Sequence, residues 1–188
     1  MSTTTRGKDT ITLGSGIPYI MEFSGSMPDV DTICTDTNRL GYCKGGAELS
    51  YTEETYEEKD DLGYVSKIIT TSEEALLKLG LLTWNGTTLK YLADRCKVTD
   101  NASEGTRTIH IGGAGNTQGK DWVVCFKHED KQDGDLYVLI RGRNTAGLTL
   151  TLAADAGTVI EPEFKAMPQD DDGTLITLIE ETGTALQS

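Results

Sequence analysis

The sequence predicts a mainly β protein: an antiparallel sandwich or partial barrel with one flanking α-helix and one long β-hairpin. Three observations carry that expectation. Apolar residues recur at every second position in many short segments. A single segment shows a clear helical period, and strands never alternate with helices in the rhythm a parallel sheet requires. Twenty-one glycines and many threonines add to the same side of the balance, favouring strands and tight turns. At 188 residues and 20.3 kDa the chain fits one domain with a sizeable core.

Taken in order, residues 1–44 read as an N-terminal arm and first strands. Their apolar run, Ile17 to Phe23, contains Pro18, which places it at a strand start or a sheet edge. Asp29 to Arg39 is loop-like, with room for one helical turn. Residues 45–72 read as the long hairpin. Ala47, Leu49 and Tyr51 alternate with Glu48, Ser50 and Thr52, and the chain turns at Leu62-Gly63. It returns as Tyr64, Ser66 and Ile68 against Val65, Lys67 and Ile69. Ala75 to Trp84 alternates as well, and Gly80 would weaken a helix there, so it reads as a core strand buried on both faces in its second half.

The helix is expected over 87–97. Asn85 or Thr87 can cap it, and Leu89, Leu92, Ala93 and Cys96 follow at i, i+3, i+4 and i+7. Residues 106–180 read as strands: Arg107–Ile111, the segment of Trp122, Val124 and Phe126, Tyr137–Arg141, the run of Leu148, Leu150 and Leu152, Val159–Met167, and Leu175–Glu180. Asp133-Gly134 marks a hairpin turn, and Pro162 assigns Val159–Met167 to an edge. Residues 181–188 form a C-terminal tail.

Several chemistries are testable by spacing, and each fails. A phosphate loop ending at Gly119-Lys120 would need glycine at 114 and Ser or Thr at 121, where Ala114 and Asp121 stand; a hairpin loop is expected instead. A calcium loop centred on Gly173 would place Pro168 and Ile179 at its first and last ligand positions, and neither can ligate. Glu53/Glu54, Glu57/Glu58 and Glu180/Glu181 are adjacent on strands and point to opposite faces, so no pair converges on one substrate atom. Cys34, Cys43, Cys96 and Cys125 lack CxxC spacing and read as reduced thiols; with only His110 and His128 beside them, a zinc site has no support. His128, beside Glu129-Asp130, reads as a solvated residue at a loop edge. No catalytic, cofactor-binding or metal-binding residue is expected, and no enzyme. The N-terminus lacks the apolar stretch of a secretory signal and no run is long enough for a membrane span, so folding in a cytoplasm is expected.

The net charge of −13 is concentrated: residues 53–61 carry six acids against one lysine, and residues 155–188 carry eight against one. A protein built to grip nucleic acid shows a basic stripe, the opposite of this pattern. Solubility explains such patches, and so does a surface that must not adhere to a passing polyanion. Two strands with an acidic tip, too long to bury inside a small domain, call for something outside it.

The stretches GGAELSYTEETYEEKDDLG, EEALLKLGLLTWN and EPEFKAMPQDDDGTLITLIEE resemble the major tail tube protein of tailed bacteriophages, in the branch found in phages of Gram-positive hosts. The resemblance covers much of the chain from Gly45 onward and is less distinct before it. It implies a hexameric ring whose strands close one large barrel around a lumen, with rings stacked into a tube that conducts the genome. A long hairpin and terminal arms bridge neighbouring subunits in that family, which assigns inter-subunit or inter-ring contact here to Tyr56, Glu57, Glu58, Asp60, Asp61 and Tyr64. Further implied partners are a tape measure inside, terminator and baseplate proteins at the ends, and a sheath in contractile tails. DNA would pass without specific binding, no membrane is involved, and the protein would reside in the virion tail after assembly in the host cytoplasm. Two alternatives stand beside it: the inner tube of a contractile bacteriocin or injection particle, and a monomeric β-sandwich binding module. Against the module, aromatic residues are only 6% and dispersed, so they build no ligand platform.

Overall fold

Six of the seven residues of the segment WVVCFKH are buried and the seventh is partly so, which makes it the centre of the fold. In the computed structural model, which describes residues 11–181 apart from 13, 132 and 156, this is strand β6 (Trp122–His128). Its alternate side chains serve two cores. Trp122, Val124 and Phe126 face one hydrophobic cluster, and Val123 and Cys125 face another on the opposite side. A strand covered on both faces reads as a continuous apolar run, as this one does. The expected tail lies outside the described residues beyond Glu181, and so does the arm over residues 1–10.

The main sheet is antiparallel and seven-stranded. β1 (Ile17–Glu22) forms one edge and pairs with β6 in full register. β6 pairs with β7 (Leu136–Asn144) through a tight loop in which Gly134 adopts φ 90°, as the Asp133-Gly134 signal requires. The far side of β7 is shared by two short strands. Its second half pairs with β8 (Glu163–Met167), and its first half with β9 (Thr177–Glu180). β8 then pairs with β3 (Ser66–Leu81), and β3 with β2 (Cys43–Lys59), which forms the other edge. The sheet curls without closing, a partial barrel: Ile20 of β1 and Leu77, Leu79 and Leu81 of β3, from opposite ends of the strand order, meet in one cluster with Ile140 and Phe164.

The mouth of that curl is plugged by α2 (Gly86–Leu92), whose Leu89 and Leu92 enter the core and whose Tyr91 meets Trp122 edge to face at 4.8 Å. Asn85 caps it in a reciprocal box with Thr88. A second, two-stranded sheet of β4 (Cys96–Asn101) and β5 (Thr106–Ile111) follows. The opposite face of the main sheet is covered by the segment around α1 (Val30–Ile33), the single helical turn for which Asp29–Arg39 had room, with Ile33 fully buried against Tyr19, Val123 and Leu139.

Five sequence expectations need correction. The helix ends at Leu92 and not at 97, because Ala93 is already extended and Cys96 enters β4, whose backbone groups are claimed by β5. Gln118 donates to the carbonyls of Lys90 and Ala93, satisfying the helix end that results. Leu148, Leu150 and Leu152 alternate but form no strand: β8 and β9 already occupy the edge of β7 they would have joined, and Leu152 is 81% exposed. Val159–Met167 is interior, not an edge; Pro162 stands just before β8, and its carbonyl accepts from Leu79 N at 3.1 Å, a position where its missing N–H is not required. The second half of Ala75–Trp84 is buried chiefly on one face, and Lys78 on the other stays exposed and pairs with Glu163. Residues 112–121 are no hairpin: β5 and β6 belong to different sheets, and the link between them crosses over through a 3-10 turn at Ala114–Asn116.

Candidate functional site

The ladder that joins β3 to the rest of the sheet stops at Leu76, whereas the ladder between β2 and β3 continues to Lys59 and Ser66. Every residue from 51 to 73 is exposed. The pair therefore leaves the domain as a free two-stranded ribbon, about 30 Å long at the usual rise per residue. A bulge between Glu54 and Thr55 lies farther out along the ribbon, where Thr71 Oγ donates to Glu54 O at 3.1 Å and Ser72 Oγ to Glu54 Oε2 at 2.9 Å. Bulges increase strand twist, so this one sets the direction in which the ribbon projects.

At the ribbon root the ladder carries a second irregularity. Gly45 and Gly46, with φ 91° and 78°, stand extra to the register between Cys43 and Ala47. Gly80 lies against this kink; a Cβ there would sit 2.3 Å from the Lys44 carbonyl oxygen. Gly80 thus belongs to a strand, and its lack of a side chain lets the neighbouring backbone approach.

All six residues expected to make inter-subunit contact lie on the ribbon. Tyr56 opposes Ile69, Glu57 opposes Ile68, and Glu58 opposes Lys67. Because paired residues share a face, Tyr56, Glu58, Lys67 and Ile69 lie on one side of the ribbon and Glu57 and Ile68 on the other. The Tyr56 hydroxyl donates to Glu58, and Lys59 reaches Glu57 at 2.9 Å. Tyr64 is 83% exposed at the tip. Asp60 acts within the turn and not across the ribbon. Its carboxylate accepts from Val65 N at 2.6 Å and from Leu62 N at 3.3 Å, closing the turn in which Gly63 adopts φ 71°. Those backbone hydrogen bonds, the one from Val65 first, lower its pKa.

Sequence reasoning singled out the acids and missed the apolar half of the ribbon. Leu62, Val65, Ile68 and Ile69 are all exposed, Ile68 by 62%. Their alternation was visible, but alternation normally means one buried face, and here the described residues cover neither face. An isolated two-stranded ribbon is marginally stable in water. Leu62, Tyr64, Val65, Ile68 and Ile69 together form an exposed apolar cluster larger than the scattered surface hydrophobics a monomer normally shows.

Elsewhere among the described residues the structure brings polar groups together in pairs that satisfy one another. Asp121 accepts from Arg141 at 2.5 Å and from Arg143 at 2.7 Å, and Arg141 also donates to Pro168 O and stacks on Phe23. These charges satisfy one another and tie β7 to the end of β6. His128 is not solvated as its neighbours suggested: it is 4% exposed, with Nδ1 at 2.9 Å from Ser15 O, because the chain before β1 folds across the end of β6. The groove at the ribbon root, lined by Lys44, Ala47, Lys78, Glu161 and Glu163, mixes both signs of charge. Among the described residues no helix is long and apolar enough to cross a membrane. The chain matches no protein-family model and no curated protein.

Proposed function

We propose that this protein is a structural subunit that self-assembles through the β2–β3 ribbon: a tail tube protein whose hexameric rings stack into a hollow conduit for a genome. The observation that carries the reading is the ribbon itself, exposed throughout residues 51–73 and studded with apolar side chains that its own domain does not cover. The open sheet supports it. β2 leaves one edge of the sheet unpaired and β1 the other, the latter met only by a bridge at Arg39 and Leu40, and joining such edges between copies removes a liability that a solitary domain must otherwise blunt. The sequence resemblance from Gly45 onward points the same way. A ribbon on one copy that seats on a different surface of the next makes a heterologous contact, which generates rings where the rotation closes and filaments where it does not.

In this reading Tyr56, Tyr64 and the neighbouring isoleucines supply the buried contact, while Glu57, Glu58 and Asp61 set how copies approach. Asp60 keeps the tip in shape. The other partners are a tape measure inside, terminator and baseplate proteins at the ends, and a sheath where the tail contracts. The charge of −13 suits a tube through which DNA passes without binding. The inner tube of a contractile bacteriocin or injection particle is the same assembly without that cargo.

The test is negative-stain microscopy and sizing chromatography of the full chain beside a variant in which residues 54–71 are replaced by Asn-Gly. Hollow rings or tubes from the full chain, and a folded monomer from the variant, are expected. A full chain that stays a monodisperse monomer at high concentration overturns the tube and leaves the binding-module alternative. Tubes formed by the shortened variant remove the ribbon from the contact.

A further inference from the structure

We propose that Cys34 and Cys125 are an oxidation site: a thiol pair that a peroxide converts to a disulfide, stapling the α1 segment onto the central strand of the sheet. The two Sγ atoms stand 3.7 Å apart although 91 positions separate them in sequence. Cys125 lies in the middle of β6 and is fully buried, whereas Cys34 closes α1 and is partly open to solvent. A small oxidant therefore reaches Cys34 first and finds the resolving thiol already beside it. Reactive thiol pairs have this arrangement, an accessible sulfur backed by a second one.

The local chemistry divides the two roles. The hydrogen bond shared with the Cys125 sulfur lowers the Cys34 pKa against the opposing effect of its own burial. Cys125, fully buried at the other end of that contact, is held in the thiol form by the contact with Cys34 and by burial. In the first step the Cys34 thiolate attacks the O–O bond of hydrogen peroxide. An S–O bond forms, the O–O bond breaks, and the departing hydroxide takes up a proton, leaving Cys34 as a sulfenic acid and one water. In the second step the Cys125 sulfur attacks the Cys34 sulfur. The S–S bond forms, the S–O bond breaks, and the Cys125 proton leaves with the hydroxyl as a second water. Two thiols are oxidised and one peroxide is reduced.

Closing the bond requires the sulfurs to approach to about 2.05 Å, and α1 is the element able to yield. It is a single turn of four residues whose N-cap, Asp29, makes no side-chain hydrogen bond. The remaining cysteines provide internal controls. Burial pushes the Cys43 thiol up to about 11 and raises that of Cys96. The oxidised form would trade a loosely held cover for a covalent one, and the inference stands apart from the assembly reading.

Folded full-length protein is treated with a modest excess of hydrogen peroxide, alkylated and mapped without reduction, with thermal melts before and after. The expected result is a Cys34–Cys125 linked peptide, unmodified Cys43 and Cys96, and a Tm raised by roughly 5–10 °C that dithiothreitol reverses. Cys34→Ser, at a partly exposed position, should fold, form no link and show no such rise. Sulfinic or sulfonic acid on Cys34 without a link overturns the proposal, and so does prior oxidation of Cys43. A link that leaves Tm unchanged overturns the staple.

Discussion

A methyl group on Gly142 would stand 2.3 Å from the Lys165 carbonyl oxygen, inside the ladder between β7 and β8. The obstacle is backbone, which cannot rotate aside. Gly142→Ala is expected to cost roughly 2–4 kcal/mol in urea unfolding, at the high end for an overpacked site. Nothing in the sequence distinguished this glycine from those in turns, since the close approach comes from a strand more than twenty positions away. Asp121 was equally silent: along the chain it is merely the residue that spoils a phosphate loop. Burial raises its pKa, but hydrogen bonds from Arg141 and Arg143 and their charges more than offset this, and the net shift is below the ordinary 3.8. A depressed carboxylate contributes stability that is fully present above its unfolded pKa and is lost as pH falls through the folded one. The loss therefore belongs below about pH 4. Asp121→Asn should lose roughly 2–4 kcal/mol at pH 7, because two arginines lose their partner. Its stability should also fall less steeply on acidification, which denaturant titrations from pH 7 to pH 3 would show.

At the scale of the element, α2 shows how far periodicity reaches. Leu89 and Leu92 were placed correctly on its buried face, and of the two candidate caps, Asn85 and Thr87, Asn85 serves. The period ran on through Ala93 and Cys96 only by coincidence with the start of β4, and strand pairing with β5 decided the boundary. Asn85→Ala should lower stability by about 1 kcal/mol in thermal or urea unfolding, since Thr87 N and Thr88 N lose their acceptor. The ribbon makes a contrasting prediction. Val65 and Ile68 touch no core, so Val65→Ser with Ile68→Ser should leave Tm within about 2 °C. The same pair of changes should raise the concentration needed for association at least tenfold in sedimentation, as lost contact area does. A large fall in Tm would mean that the ribbon packs on its own domain, and the contact would have to be sought elsewhere.

For the whole molecule the governing quantity is a charge of −13 on a sheet that does not close. In the proposed assembly, copies repel at long range and attract at contact. The screening length falls from about 30 Å at 0.01 M salt to about 8 Å at 0.15 M. Assembly followed by light scattering should therefore be several-fold faster at the higher salt. Slower assembly with added salt would point instead to acidic tips seated on basic groups of the next copy. The same charge predicts no retention of duplex DNA in filter binding at low salt, where nonspecific attraction is greatest.

The fold class, most of the strands, and a hairpin too long and too acidic for its own domain were all legible in the sequence. These depend on local period, turn residues and composition, which neighbouring residues carry among themselves. Which alternating runs become strands was settled by packing in three dimensions, because a strand needs a free edge, and β8 and β9 had already taken the one open to Leu148, Leu150 and Leu152. Packing also placed Pro162 at the border of an interior strand and buried His128. Cys34 faces Cys125 for the same physical reason: contacts between distant segments are set by packing, and no spacing along the chain encodes them.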